Sequence, residues 1–319
     1  MYVQGLATDG NAISLKSCPA IDMERMRDKT LAEMMEHCIC DNHLFWAAWA
    51  TVVSGYSDRL LTSSADKLPA VAGLAQKFRN ISNDVYLAGL WKSRLLHDLM
   101  WMASPPTRSR VKRPWRRVPE RAPSWSWASL DAHIDIVGPH KRILKCQLWY
   151  AEPVSRREVS KVHSCKVDLL YPDIPFGPAK GGSVVIRGPL RKARLKQGRF
   201  WRYLSIEGHH FTPAVSDTKT LEADTFAKPF LDLGRAAETQ DFAMAGDEDV
   251  WCLQMREGKA ISRIVGGEAT ILDGLLLLPL DDTMTRFRRV GVWVTDWYVV
   301  VGEEQHPFVK LDPVEITII

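Results

Sequence analysis

A chain of 319 residues, 46% hydrophobic and 25% charged, has room for one large domain or two ordinary ones, and this composition excludes a disordered tail, a collagen-like fibre and a disulfide-stapled miniprotein. The net charge of +4 is local: between Ala103 and Arg121 seven basic residues face one acid, Glu120, so this segment carries six net positive charges and the rest of the chain is net −2. No apolar run approaches the ~20 residues of a membrane span and Met1–Gly10 lacks the pattern of a secretory signal, so the expectation is a cytoplasmic protein with no membrane span and its six cysteines reduced.

In chain order, the first hundred residues read as helices. Asp22–Cys40 places Met26, Leu31, Met34, Met35 and Cys38 at helical spacings behind a capping Asp22. His43–Val53 repeats the pattern with Phe45, Trp49, Val52 and Val53, and Gly55 is a stop signal. Asp66–Phe78 is a third helix, with Pro69 suited to its first turn. Asn83 or Asp84 then caps a fourth and longest helix, running to about Met102 with the stripe Leu87, Trp91, Leu95, Leu99 and Met102. Pro105 and Pro106 end it.

The basic segment that follows holds Pro105, Pro106, Pro114 and Pro119, which forbid a helix. Charge confined to one loop is weak evidence for nucleic acid, whose readers spread Lys and Arg along an element. The segment reads as a solvated loop, with a phosphate or protein contact through residues 103–121 as the alternative and no specific nucleic-acid role.

From about Arg142 the period changes to two. Ile143–Tyr150, Val162–Leu170, Ser183–Leu190, Phe200–Glu207, Val250–Met255, Ala269–Pro279, Arg288–Thr295 and Val314–Ile319 read as strands. Gly181-Gly182, Gly266-Gly267 and Asp281-Asp282 read as turns, and Thr212–Gly246 as a long connection with one short helix. The predicted fold class is α+β: a helical part over residues 1–105 packed on a mostly antiparallel β-sandwich or barrel over 123–319, joined by the basic Pro-rich loop 106–122, the two parts sharing one core.

Motifs of hydrolases, transferases and redox enzymes do not occur. Cys38-Ile39-Cys40 has the wrong spacing for zinc, and G-x-S-x-G, a P-loop, H-E-x-x-H and a strand-linked G-x-G-x-x-G are missing. His209-His210 reads as an exposed turn, and Asp281, Asp282 and Asp296 as turn acids. His97, beside Asp98, reads first as a surface histidine. Neither a metal nor a cofactor is expected.

Two stretches are strongly patterned. One is Tyr56-Ser57-Asp58-Arg59-Leu60-Leu61-Thr62 followed by Asp66-Lys67-Leu68-Pro69-Ala70-Val71-Ala72-Gly73-Leu74-Ala75. The other is Tyr86-Leu87-Ala88-Gly89-Leu90-Trp91, then Leu99-Met100-Trp101, then Arg121-Ala122-Pro123-Ser124-Trp125-Ser126-Trp127-Ala128-Ser129. Together they resemble the region downstream of the catalytic part in fungal heterokaryon-incompatibility (HET-domain) proteins. The resemblance continues more weakly through Trp251-Cys252-Leu253, Gly274-Leu275-Leu276-Leu277 and Arg289-Val290-Gly291-Val292, over roughly residues 45 to 319. Full HET proteins carry an N-terminal part resembling TIR folds, marked by S-Y-x-W-G and W-I-D-x-x-C-I-D-Q. Neither string occurs here, so the resemblance implies a free-standing HET C-terminal region, and no cell-death activity is carried over to its residues.

Twelve tryptophans in one chain point to an aromatic core or to a pocket within it. In an extended segment Trp125 and Trp127 would share a face that clamps Trp91 and Trp101 against the first strands, with Ser124, Ser126 and Ala128 turned away. Two functions are then expected. The first is a cofactor-free cyclase or isomerase of fungal secondary metabolism, closing a terpenoid or polyketide by intramolecular cycloaddition (Diels–Alderase type). Such a step needs a shaped apolar pocket and one or two donors that polarise a carbonyl. Its candidate catalytic residues are Tyr86, His97 and Arg121, and its candidate substrate-binding residues are Trp91, Trp101, Trp125 and Trp127, with an apolar small molecule as substrate. The second is a non-catalytic HET-family remnant that binds another protein in non-self recognition. A solid interface between helices and sheet would remove the first.

Overall fold

The computed structural model describes residues 42–57, 59, 61–104, 116–118, 120–136, 151–197, 202–207, 227–232, 247–262, 267–295 and 306–319. The predicted helix over 22–40 and the predicted strand over 143–150 lie outside them.

Helix α1 spans Asn42–Ser57, and its Phe45, Trp46, Trp49 and Val53 form one buried face. It ends on a cation: the buried ammonium of Lys67 donates to the Ser57 carbonyl at 3.0 Å, where the helix dipole favours positive charge. Two single 3₁₀ turns, Ser64–Lys67 and Pro69–Val71, lead into α2, Ala72–Ser82. This helix buries Ala75 and Phe78 and stops at Asn83, whose left-handed backbone (φ 53°) lets its N–H reach the Arg79 carbonyl at 2.7 Å.

The predicted fourth helix is not formed. Strands β1 (Tyr86–Leu87) and β2 (Leu90–Trp91) make a hairpin, followed by a 3₁₀ turn, a short helix α3 (Leu95–Asp98) and β3 (Met102–Ser104). The reason lies in Ala88 and Gly89, both at positive φ (47° and 97°), the pair of left-handed residues that a two-residue hairpin loop requires. The apolar stripe misled because nearly everything in the segment is buried: Tyr86–Trp91, Leu95, Leu96 and Leu99–Ala103 all lie in the core.

Short ladders then hold the middle of the chain. Here β4 (Arg116–Arg117) pairs with β5 (Leu130–Asp131), and β6 (His133–Asp135) pairs with β3. The remainder is one mostly antiparallel sheet of ten strands: β7 (Ala151–Glu158), β8 (Lys161–Leu169), β9 (Ala179–Gly188), β10 (Leu190–Gln197), β11 (Arg202–Ser205), β12 (Ala227–Leu231), β13 (Glu248–Ser262), β14 (Gly267–Pro279), β15 (Arg286–Thr295) and β16 (Val314–Ile318). The order is β12-β11-β10-β13-β14-β15-β16-β9-β8, with β7 on the outer half of β13 and one parallel contact between β15 and β16. The sheet curls until β12 also pairs with β15 over Ala227–Leu231, but β11 and β12 meet at the single pair Leu204↔Ala227, and it is not a closed barrel.

Two local expectations change, and a third falls partly outside the described residues. Gly181-Gly182 lies inside β9 and is not a turn, and a Cβ at Gly182 would stand 2.5 Å from the Lys166 carbonyl, so Gly182 marks a close strand approach. Gly267 opens β14, and Gly266 lies outside the described residues. Within 212–246, the described part is strand β12 and not a helix. The turn at Asp281-Asp282 is present, with the Thr283 hydroxyl donating to the Asp281 carboxylate at 2.6 Å.

One buried cluster runs from Phe45 of α1 through the hairpin and Trp125 to Leu253, Leu275, Val292 and Ile318 of the sheet. A second, including Leu195, Leu204, Cys252, Leu276 and Trp293, fills the inside of the curl.

Candidate functional site

The two patterned stretches fold into one unit. The Gly89 carbonyl, at the tip of the β1–β2 hairpin, accepts both the Trp49 indole N–H (3.2 Å) and the Trp127 indole N–H (2.9 Å). The neighbouring Ala88 carbonyl accepts the Ser126 hydroxyl at 2.6 Å, and that same oxygen accepts the Ala128 N–H and caps the 3₁₀ turn Trp127–Ser129. A Cβ at Gly89 would lie 2.4 Å from Trp127 Nε1, so the indole fits only over glycine. The Trp101 N–H closes the unit by donating to the Trp125 carbonyl at 2.8 Å.

This corrects the extended reading of residues 124–128. They form a turn and a 3₁₀ turn, and Ser124, Ser126 and Ala128 are buried as well as the tryptophans, not turned away to solvent.

The candidate substrate-binding rings face the protein. Trp91, Trp101, Trp125 and Trp127 have 0% exposure, leaving no surface within reach of even a water molecule. Trp91 has the rings of Tyr86 (5.3 Å), Trp49 (5.4 Å), Trp46 (5.8 Å) and Phe78 (6.5 Å) around it. Trp101 is covered by the Arg289 guanidinium, 3.5 Å above its ring. Each buried ring removes roughly 150–250 Å² from water, a contribution of several kcal/mol.

Among the described residues, no hydrogen bond or ion pair joins the candidate catalytic residues Tyr86, His97 and Arg121 to one another. Tyr86 is buried, its ring stands 5.3 Å from that of Phe176, and burial pushes its phenol well above the ordinary value. His97 is half-buried, with Nδ1 3.0 Å from Arg94 Nη2 and 3.4 Å from the Asp98 carboxylate. Burial holds its imidazole below the usual value, against the pull of Asp98. Arg121 is a strut, not a loop cation: Nε donates to the Ala128 carbonyl and Nη1 to the Asp131 carboxylate, both at 2.7 Å.

Arg117 departs further from the solvated-loop reading. Buried beneath the surface, it donates to Asp232 and to the Arg289 carbonyl, both at 3.0 Å, and to the Ser129 hydroxyl at 3.1 Å. Arg289, fully buried, donates to the other oxygen of Asp232 and to the Trp101 carbonyl. This Arg117–Asp232–Arg289 clasp ties the end of the basic segment to the sheet. Sequence reading missed it because Asp232 stands in a poorly patterned stretch and Arg289 interrupts an apolar strand without any periodic signal. A second buried pair, Arg256–Asp273 at 3.0 Å, joins β13 to β14.

Several buried polar atoms have no hydrogen-bond partner, among them Tyr86 Oη, Trp91 Nε1, Trp125 Nε1 and Arg121 Nη2. Among the described residues no three His, Cys, Asp or Glu side chains converge as a metal site, and no helix is long and apolar enough to cross a membrane. Comparison of the chain with known protein families, with curated proteins and with solved structures finds no match.

Proposed function

We propose that the chain is a non-catalytic module of the HET type that works by protein–protein contact in non-self recognition. One observation supports this reading above others: the hairpin Tyr86–Trp91 and the tryptophans Trp101, Trp125 and Trp127 are sealed in a core, where Ser126 and Trp127 turn their donors to the hairpin, so chemistry available to a partner lies on the outer surface. The test is a deletion strain paired with compatible and incompatible testers. The expected result is an altered incompatibility reaction with an unchanged metabolite profile. An unaltered reaction in every pairing overturns the reading.

A second reading, the cofactor-free cyclase, is favoured by a different observation. Tyr86, Trp91 and Trp125 each keep a buried donor without an acceptor, and an orphaned donor costs about 1–3 kcal/mol. A substrate carbonyl is one acceptor that would satisfy such donors while being polarised for cycloaddition. The reading requires the rings to part, because none of these indoles has an open face. An uncyclised precursor accumulating in the same deletion strain would establish it in place of the first.

A further inference from the structure

The proposal of a protein-binding module leaves the binding surface unassigned. Among the described residues nine large apolar side chains are about half-exposed, and five of them fall in two segments joined through Phe176. The turn between β8 and β9 presents Leu170, Tyr171 and Ile174 at 50%, 55% and 50% exposure. Phe176, two residues after the last of these, plugs inward against the Tyr86 ring at 5.3 Å and under the Arg79 guanidinium at 6.0 Å. That plug fixes the turn beside the end of α2, where Ile81 and Val85 are 43% and 49% exposed.

Basic side chains stand in the same segments, and the Lys92 N–H donates to the Val85 carbonyl at 3.0 Å. Lys77, Arg79, Lys92 and Lys180 are all exposed. Lys77 lies one helical turn before Ile81, on the same face of α2. Two acids oppose them. Asp173 is exposed, and Asp84 is already engaged by the Val85 and Ser93 N–H groups and the Ser93 hydroxyl. An apolar centre with an aromatic residue and a cationic border is the pattern of a recognition patch.

We propose that this patch, built from the β8–β9 turn and the end of α2, docks an acidic amphipathic segment of a protein partner. Leucine-like side chains of that segment cover Tyr171, Ile174 and Val85, and its carboxylates meet the lysines and Arg79. The proposal rests on the module reading and names the partner's chemistry.

The test uses the full chain and a fluorescein-labelled synthetic helix with leucine on one face and glutamate on the other, followed by anisotropy. The glutamate helix is expected to bind, and its lysine counterpart is not. Ile174→Asp and Tyr171→Asp, both at exposed positions, are expected to weaken binding about tenfold with an unchanged melting temperature, and high salt is expected to weaken it as well. Equal binding of the two helices overturns the proposal, as does binding unaffected by Ile174→Asp. Capture of phosphatidylserine-containing vesicles with no binding of the acidic helix overturns it in favour of a lipid surface. The two readings fail separately. A strain carrying Ile174→Asp with an intact incompatibility reaction overturns the patch and leaves the module. A deletion strain without any altered reaction overturns the module whatever the helix does.

Discussion

At the scale of single residues, two kinds of group hold this molecule together. Gly89 belongs to the first, where geometry admits one residue type. Its φ of 97° and the Trp127 indole above it exclude a side chain, so Gly89→Ala adds backbone strain to a direct clash. The expected loss is about 3 kcal/mol, read as a lower urea midpoint by tryptophan fluorescence. The Arg117–Asp232–Arg289 clasp belongs to the second, where charge must be matched. Asp232→Asn leaves two buried guanidiniums without their counter-ion, and the expected cost is about 3–5 kcal/mol. Replacing all three by apolar residues of similar volume is expected to recover much of that loss, since a buried ion pair is costly chiefly when half of it is removed. Equal denaturation midpoints for Asp232→Asn and the triple variant would contradict this.

At the scale of elements, what was legible in the sequence follows from which elements obey a simple period. Strands rich in Val and Leu between turn signals were legible. The runs Val162–Leu170 and Arg288–Thr295 map onto β8, whose Val162, Cys165 and Val167 are half-buried, and onto β15, which is buried on both faces. Strand β10 escaped because Lys192, Arg194 and Lys196 outweigh the inward Ala193 and Leu195 in Leu190–Gln197. The hairpin at Tyr86–Trp91 escaped because burial on all sides erases the difference between a period of two and one of 3.6. For the site, the sequence singled out Trp91, Trp101, Trp125 and Trp127 but not what they touch, since the Gly89 carbonyl that gathers Trp49 and Trp127 is a backbone atom without a sequence signature. The outer arm of the sheet has its own testable link. Glu257 on β13 stands 2.8 Å from Arg157 of β7 and 3.7 Å from His306. Their donors, His306 foremost, hold its carboxyl at about 2, below the ordinary 4.5. A carboxyl lowered by folding stabilises the fold above its unfolded value, and that stabilisation disappears as pH falls from about 4.5 through about 2. Glu257→Gln is therefore expected to be less stable than the parent at neutral pH and to converge with it near pH 2, as followed by urea denaturation across that range. A constant difference at every pH would rule out this origin.

At the scale of the whole molecule, the decisive feature is that helices and sheet share their apolar cluster. Phe45, Trp49 and Phe78 from α1 and α2 pack in the same cluster as Leu253, Leu275 and Val292 from β13, β14 and β15, with Trp91, Trp101, Trp125 and Trp127 between them. Neither part carries the other as an appendage, because removing the helices would expose the rings that cover the sheet. The expected consequence is one cooperative transition. Tryptophan emission, dominated by the buried rings, and the far-ultraviolet signal of the strands should give the same urea midpoint and the same slope. Trp91→Ala sharpens the experiment. It opens a cavity among Trp46, Trp49, Phe78 and Tyr86, and a buried aromatic truncated to alanine costs about 3–5 kcal/mol. If the core is shared, both signals shift together by that amount. If the sheet signal holds its midpoint while the fluorescence midpoint falls, the helical part unfolds alone, and a surface patch assembled from α2 and the β8–β9 turn cannot act as a single rigid binding face.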